Sequence, residues 1–461
     1  MNPFAFSRRQ ILKTVSSGFG YLAFSSLATM ASADEKKSNN PLSPKQPHFS
    51  PSAKRVIFLC MRGGPSHLDT FDYKPQLIKD HGKTGQFRGS LFRPQWDFKQ
   101  QGESGLWISE LLPEIGSMAD DLCLLRSMNT DQPVHPRAMT QMHTGNAQFV
   151  RPSLGAWTLY GLGSENDSMP GFISINPQAG TAQNYGSSFL PAVFQGTKIN
   201  AGGGGGRGGG RGRAKQVPDI KNSRMTTRQQ RQQLDLIQAL NREKLEREKV
   251  QPEVEGVIES YELAFRMQAA MPEIMNIDQE SEATLDMYGI DGSETDGFGR
   301  QCLMARRLSE SGVRFVEITH GNWDTHFNMS NTFPNLCQQI DKPIAGLLKD
   351  LKQRGMLDDT LVIWAGEFGR TPYAQNGNGR DHNNKGYTTW MAGGGVKGGF
   401  SYGATDEYGA EAVENPMHIH DWHATILHLL GLNHEELTYR YAGRDFRLTD
   451  VYGNVAKEIL A

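Results

Sequence analysis

Asp69, Asp324, His326, Glu367 and His382 are carboxylates and imidazoles that each stand just past a short apolar run, or in the loop that follows one. Such a mixed oxygen and nitrogen set suits Zn, Mn or a similar divalent ion, whereas an all-oxygen site suits Ca or Mg. In Asp324-Thr325-His326 the i, i+2 spacing points both side chains the same way on extended backbone. Any one of these residues is as readily a hydrogen-bonded loop side chain or a helix cap. Five of them at strand ends are read as a site for one or two divalent ions: Zn, Mn, Ca or Mg. A second constellation runs from His135 to Gly145. Arg137 offers a planar fork for an oxyanion, with a plain surface ion pair as the alternative. His135 and Thr140 are the candidate reacting groups beside it, and His143 reads as a satisfied histidine next to a helix-ending Gly145. His418 and His420 are secondary candidates. His423 shares a helical face with Ile426, Leu427 and Leu430 and reads as packing, and Asp421 as a helix N-cap.

These residues need strands to carry them. Arg55-Val56-Ile57-Phe58-Leu59-Cys60-Met61 is a continuous apolar run of the buried parallel kind, and it empties into the polar loop 62–72. A helix near 111–119 and a strand at 122–126 follow. Further on, a helix at 298–311 precedes a strand at 313–319, which delivers Asp324 and His326. The spacing of Leu336, Ile340, Ile344, Leu347 and Leu351 predicts a helix that stops at Gly355. A strand at 360–365 then delivers Glu367, the stretch 379–383 reads as a loop carrying His382, and a strand at 386–391 and a helix at 421–430 close the pattern. Alternating strands and helices with polar residues at each strand end predict a doubly wound α/β fold. The glycine-rich 201–214 reads as a surface loop. Residues from about 224 to 276 read as a helical insertion, with Val254, Val257, Ile258, Tyr261 and Phe265 at helical spacing after Pro252.

Composition excludes several classes. Forty-eight basic against 50 acidic residues leave a formal charge of −2, which gives no reason to expect nucleic-acid binding. No apolar run reaches the roughly 18 residues of a membrane span. Cys60, Cys123, Cys302 and Cys337 form no C-x-x-C pair and read as buried thiols rather than a metal cluster, with one disulfide left open. Oligomeric state is not indicated. At the N-terminus, Arg8-Arg9, a weakly apolar stretch and Ala31-Ser32-Ala33 read as a twin-arginine signal over 1–33, cleaved after Ala33. That predicts a periplasmic or extracellular protein, a flexible lead-in over 34–53 and one domain over 54–461.

The segments 63–72, 135–145, 312–326, 359–372, 379–383 and 433–453 together resemble the bacterial family called domain of unknown function 1501. That family is related to the alkaline phosphatase and sulfatase superfamily. The resemblance implies a three-layer α/β/α sandwich with a mostly parallel sheet, a metal site at the strand ends, and hydrolysis of phosphate or sulfate esters. In it, Glu367 resembles the first metal ligand after a sulfatase strand, with Phe368 where a second ligand would stand. His382 resembles the later metal-binding histidine, and Asp324 with His326 resemble a phosphatase Asp-x-x-x-His pair at shorter spacing. His135 falls where the sulfatase nucleophile would stand, and no C-x-P-x-R or S-x-P-x-R occurs there. The expected activity is therefore hydrolysis by metal-activated water, with a sulfated or phosphorylated carbohydrate as one class of substrate. The alternative is a non-catalytic sulfatase-like module that binds carbohydrate or a protein partner.

Overall fold

The computed structural model describes residues 40–178, 180–200, 225–248 and 252–461. The twin-arginine segment with its cleavage point and the glycine-rich 201–214 lie outside the described residues. In chain order the framework is β1 (Arg55–Met61), β2 (Leu122–Asn129), α1 (His135–Thr144), α2 (Leu154–Leu162), β3 (Phe172–Ile175) and β4 (Thr197–Ile199). The insertion helices α3 (Thr227–Glu248) and α4 (Pro252–Ile274) follow, then α5 (Asp296–Glu310), β5 (Phe315–His320) and α6 (Met329–Gln353). The last part holds β6 (Thr360–Ala365), the hairpin β7 (Gly369–Gln375) and β8 (Gly379–Asn383), β9 (Tyr387–Ala392), β10 (Phe400–Tyr402), β11 (Met417–His418) and α7 (Ile419–Leu429).

Eight strands run in the order β10-β2-β9-β6-β1-β5-β3-β4, and β11 also pairs with β2. Every pairing is parallel except the two made by β9. Because β9 is antiparallel to both β6 and β2, those two strands run the same way as β1 and β5. Every strand of this sheet but β9 therefore ends at the same edge, β2, β6, β1 and β5 among them. On one face, Phe58 of β1 packs 5.9 Å from Trp422 of α7 and 5.6 Å from His143 of α1. The alternate residues Ile57 and Leu59 are fully buried on the opposite face, where α5 lies on β5 and β1 and packs against α6. The result is the expected three-layer sandwich with a mostly parallel sheet.

Three local expectations change. Residues 42–53 are not a flexible lead-in: Leu42 and Ala53 are buried, and the amides of Lys45, His48 and Ala53 bond to Leu162, Gly431 and Leu429. The stretch 379–383 is a strand, β8, paired antiparallel with β7. Polar, non-alternating sequence hid it. In α4 the buried face is Leu263, Met267 and Met271, while Tyr261 is exposed, so the helix is rotated from the apolar stripe expected through Tyr261 and Phe265. Arg231 of α3 pins this arm through two 2.8 Å bonds to Glu262 of α4.

His423 on α7 is a packing residue, as expected. It is wholly buried, and its Nε2–H donates to the Met142 carbonyl at 2.7 Å. Burial lowers its pKa to about 3. Between that value and roughly 6.5, the unfolded chain carries a proton on this residue that the folded chain lacks, so folding weakens as pH falls. Urea unfolding at stepped pH is expected to lose up to ~1.4 kcal/mol per pH unit from this residue below about 6.5, and His423→Gln to flatten that decline.

Candidate functional site

The segments that follow β2, β5 and β6, together with the β7–β8 hairpin, converge on one cluster. From β2 the chain turns into α1, whose first residue is His135 with Pro136 fixing the first turn. The loop after β5 supplies Asp324 and His326, the turn after β6 supplies Glu367 and Phe368, and β8 supplies His382. His135, Asp324, His326 and His382 each bring one ligating atom within 4.8 Å of all the others.

Each histidine has its Nδ1 engaged by an acceptor. That of His135 is 2.6 Å from Glu367 Oε1, that of His382 is 2.7 Å from the Pro133 carbonyl, and that of His326 meets the Gln375 amide oxygen. An acceptor at Nδ1 places the proton there and leaves Nε2 as a bare lone pair. All three Nε2 atoms face Asp324 Oδ1, at 3.1 Å, 2.9 Å and 3.2 Å for His135, His326 and His382. The Nε2 atoms of His326 and His382 are 2.9 Å apart. Lone pairs and a carboxylate oxygen turned on one another call for a cation among them. These separations approach the ~3.3 Å that a tetrahedral ion with bonds of about 2.0 Å sets between its ligands. The residues present therefore fit a metal ion.

The surroundings hold this set in place. Glu367 is buried and accepts from the Gly63 amide at 3.0 and 3.1 Å and from the Gly64 amide at 3.3 Å. That approach needs glycine. Both residues have positive φ, and a Cβ on Gly63 would lie 2.7 Å from the Asp324 nitrogen, one on Gly64 2.7 Å from the Phe368 ring. Phe368 packs against His135 and His382, with ring centroids 4.8 and 4.5 Å apart, and walls the cluster with carbon. Arg370, wholly buried, donates to Asp324 Oδ1 at 2.7 Å, to the carbonyls of Gly64, Arg380 and Trp323 at 2.8, 3.1 and 3.3 Å, and to that of Gly63. Burial alone would raise the Asp324 pKa, but the Arg370 guanidinium, with His135 and His326, holds it well below the usual carboxylate range. Burial disfavours protonation of His135, yet Glu367 and Asp324 outweigh it and raise its pKa. Burial, then the charges of Arg370 and His135, lower that of His382.

Of the residues read as ligands, Asp324, His326 and His382 come together. Glu367 stands one step back, behind His135. Asp69 is not brought to the cluster: it is fully buried, accepting from Arg380 Nε at 2.7 Å and Ser66 Oγ at 2.5 Å. Nothing in the sequence paired Asp69 with an arginine more than 300 positions away. His135, read as a reacting group, takes its place among the candidate ligands. The Thr140 hydroxyl is committed to the Pro136 carbonyl at 2.7 Å inside α1. Arg137 is exposed in the first turn of the same helix, with no hydrogen bond or ion pair among the described residues. Arg370 and Arg380 received no role from sequence. Their signal was position alone, just past a strand and inside a polar hairpin. Elsewhere, His418 and His420 line a separate polar cavity of about 640 Å³ with Asp131 and Tyr452, and all four cysteines are buried free thiols.

The chain belongs to the family described as "Protein of unknown function (DUF1501)", whose model matches residues 53–460. No curated protein matches it. Among solved structures it is similar to the lipoteichoic acid synthase LtaP from Listeria monocytogenes, at 8% identity, over 89% of this chain and 78% of that one, with TM-score 0.36. It is also similar to a protein in the alkaline phosphatase superfamily from Vibrio parahaemolyticus, at 9% identity, 85% and 70% coverage and TM-score 0.36. A third likeness is to the C-terminal periplasmic domain of EptC from Escherichia coli in complex with Zn, at 10% identity, 86% and 88% coverage and TM-score 0.35.

Removing the Arg370 guanidinium strands a carboxylate and four carbonyls together. Arg370→Met is expected to cost about 3–5 kcal/mol in urea unfolding, and Arg370→Lys to recover little, because one ammonium cannot span five acceptors.

Proposed function

We propose that this member of the family is an exported, metal-dependent hydrolase of phosphate or sulfate esters, with one divalent ion held by His135, Asp324, His326 and His382. The observation that carries the reading is the set of three histidines whose Nδ1 atoms are tied off and whose Nε2 atoms meet one carboxylate oxygen. Three imidazoles and one carboxylate favour Zn or another first-row transition ion over Ca or Mg. When bound, such an ion polarises an ester oxygen and makes water a competent nucleophile near neutral pH.

The chain's own groups do the rest. Glu367 keeps His135 in the tautomer that presents Nε2, and Arg370 keeps Asp324 ionised and in place. Phe368 excludes water from one side. Arg137, unpaired at the start of α1, is the fork that orients the substrate's anionic group. A nucleophilic role for Thr140 is disfavoured, since its hydroxyl is already donated to the Pro136 carbonyl. No helix among the described residues is long and apolar enough to cross a membrane. The proposed route to the periplasm or beyond is the twin-arginine segment, which passes folded, loaded proteins. The substrate class in view is a sulfated or phosphorylated carbohydrate.

One observation favours the other reading, a non-catalytic module for carbohydrate or a protein partner. Arg370 already gives Asp324 Oδ1 a cation at 2.7 Å, so the cluster has a polar role available without an ion. Elemental analysis of the full chain separates the two. The hydrolase reading expects close to one equivalent of transition metal, lost in His326→Ala and His382→Ala together with turnover of aryl phosphate and sulfate esters. It expects Glu367→Gln to bind the ion roughly 10–100-fold more weakly without abolishing the site. Metal-free, folded wild type that takes up no added Zn and cleaves no ester overturns it in favour of the module.

A further inference from the structure

Below the surface cluster, on the face of the sheet covered by α1, a second convergence is fully enclosed. Cys60 of β1, Glu317 of β5 and His143 of α1 bring a thiol sulfur, a carboxylate oxygen and an imidazole nitrogen within 4.8 Å of one another. They are 0, 2 and 3% exposed. The strand register explains the meeting. Phe58 pairs with Glu317, Cys60 lies two residues further along the same face, and the Phe58 ring itself packs on His143.

The hydrogen bonding is incomplete in a telling way. His143 Nδ1 is 2.8 Å from the Met139 carbonyl, an acceptor, so the proton sits there. Its Nε2 is buried without a hydrogen-bond partner, 3.4 Å from Glu317 Oε1. A carboxylate this deep costs several kcal/mol to desolvate unless a well-placed cation meets it, and a long contact with no hydrogen bond meets it poorly. A bare lone pair, a carboxylate and a thiol aimed at one point are a ligand set.

We propose that Cys60 Sγ, His143 Nε2 and the Glu317 carboxylate form a second, buried transition-metal site. Mixed sulfur, nitrogen and oxygen donors select Zn, Co or a similar ion over Mg and Ca. Binding M²⁺ releases one proton from the Cys60 thiol, and the thiolate and carboxylate then balance both charges of the ion, which leaves the buried site neutral. The site ties β1 and β5 to α1, the helix whose first residue is His135. It shares no residue with the surface cluster and does not rest on the hydrolase reading. The sequence pattern missed it because no C-x-x-C marks it: its ligands come from two strands and a helix.

Sulfur makes the test selective. The full chain is produced in cobalt-supplemented medium, so that ions enter as it folds, and its near-ultraviolet spectrum is searched for thiolate-to-cobalt charge transfer. The surface cluster has no sulfur and contributes none of this absorption. The expected result is a charge-transfer band that scales to one equivalent of cobalt, is lost in Cys60→Ser, is weakened in Glu317→Gln, and survives in His382→Ala. Folded wild type without that band overturns the site, whatever cobalt it holds at the surface, and leaves His143 and Glu317 as a buried ion pair. A band unchanged in Cys60→Ser also overturns it. Should Cys60→Ser fail to fold, Glu317→Gln and the wild-type spectrum still decide.

Discussion

A buried guanidinium organises this end of the molecule. Arg370 has no solvent to turn to, so its donors must all be met by protein, and the acceptors it finds belong to three separate segments. Satisfying one charge therefore fixes the exit of β1, the exit of β5 and the β7–β8 hairpin relative to one another. Asp324 inherits its position and its ionised state from that bond. Arg380, also wholly buried, repeats the device, giving its charge to Asp69 and its remaining donors to the carbonyls of Phe92 and Thr371. Two arginines in the interior do for these loops what backbone ladders do for the strands.

On that platform the histidines are aimed from behind. Each ring can rotate and exchange tautomers in isolation, and each is stopped by a different class of acceptor: a carboxylate, a peptide carbonyl and a side-chain amide. Glu367 is in turn held by the Gly63 and Gly64 amides, two residues that leave no room for a side chain. The chain of support runs from glycine amides to carboxylate to imidazole. The chemistry exposed at the surface is thus set by groups that never reach it.

Much of this was legible in the sequence. The apolar run over β1 and the strand at 360–365 identified central strands, and the stripe Leu336, Ile340, Ile344, Leu347, Leu351 identified the buried face of α6. Placement after strands or in the following loops pointed to Asp324, His326 and His382, which the fold brings together. It failed for Asp69 because a carboxylate after a strand is equally suited to a metal and to a buried arginine, and the choice is made by Arg380 across the fold. It missed His135 as a partner of that set because α1 reaches the cluster through the direction of β2, which only the antiparallel β9 reveals. The hairpin carrying His382 was invisible because polar residues on both faces leave no period of two.

The gathering of the candidate ligands from α1, the loop after β5 and the β7–β8 hairpin has a consequence for how the protein comes into being. Residues between His135 and His382 close large loops, and the sheet order interleaves early and late segments, with β6 and β9 lying between β2 and β1. Such a topology earns its non-local contacts only after most of the chain entropy has been lost. The cluster accordingly needs α1, the loop after β5 and the β7–β8 hairpin all in place. A geometry of this kind is a long-range property of the folded chain, and no contiguous stretch of the sequence contains it.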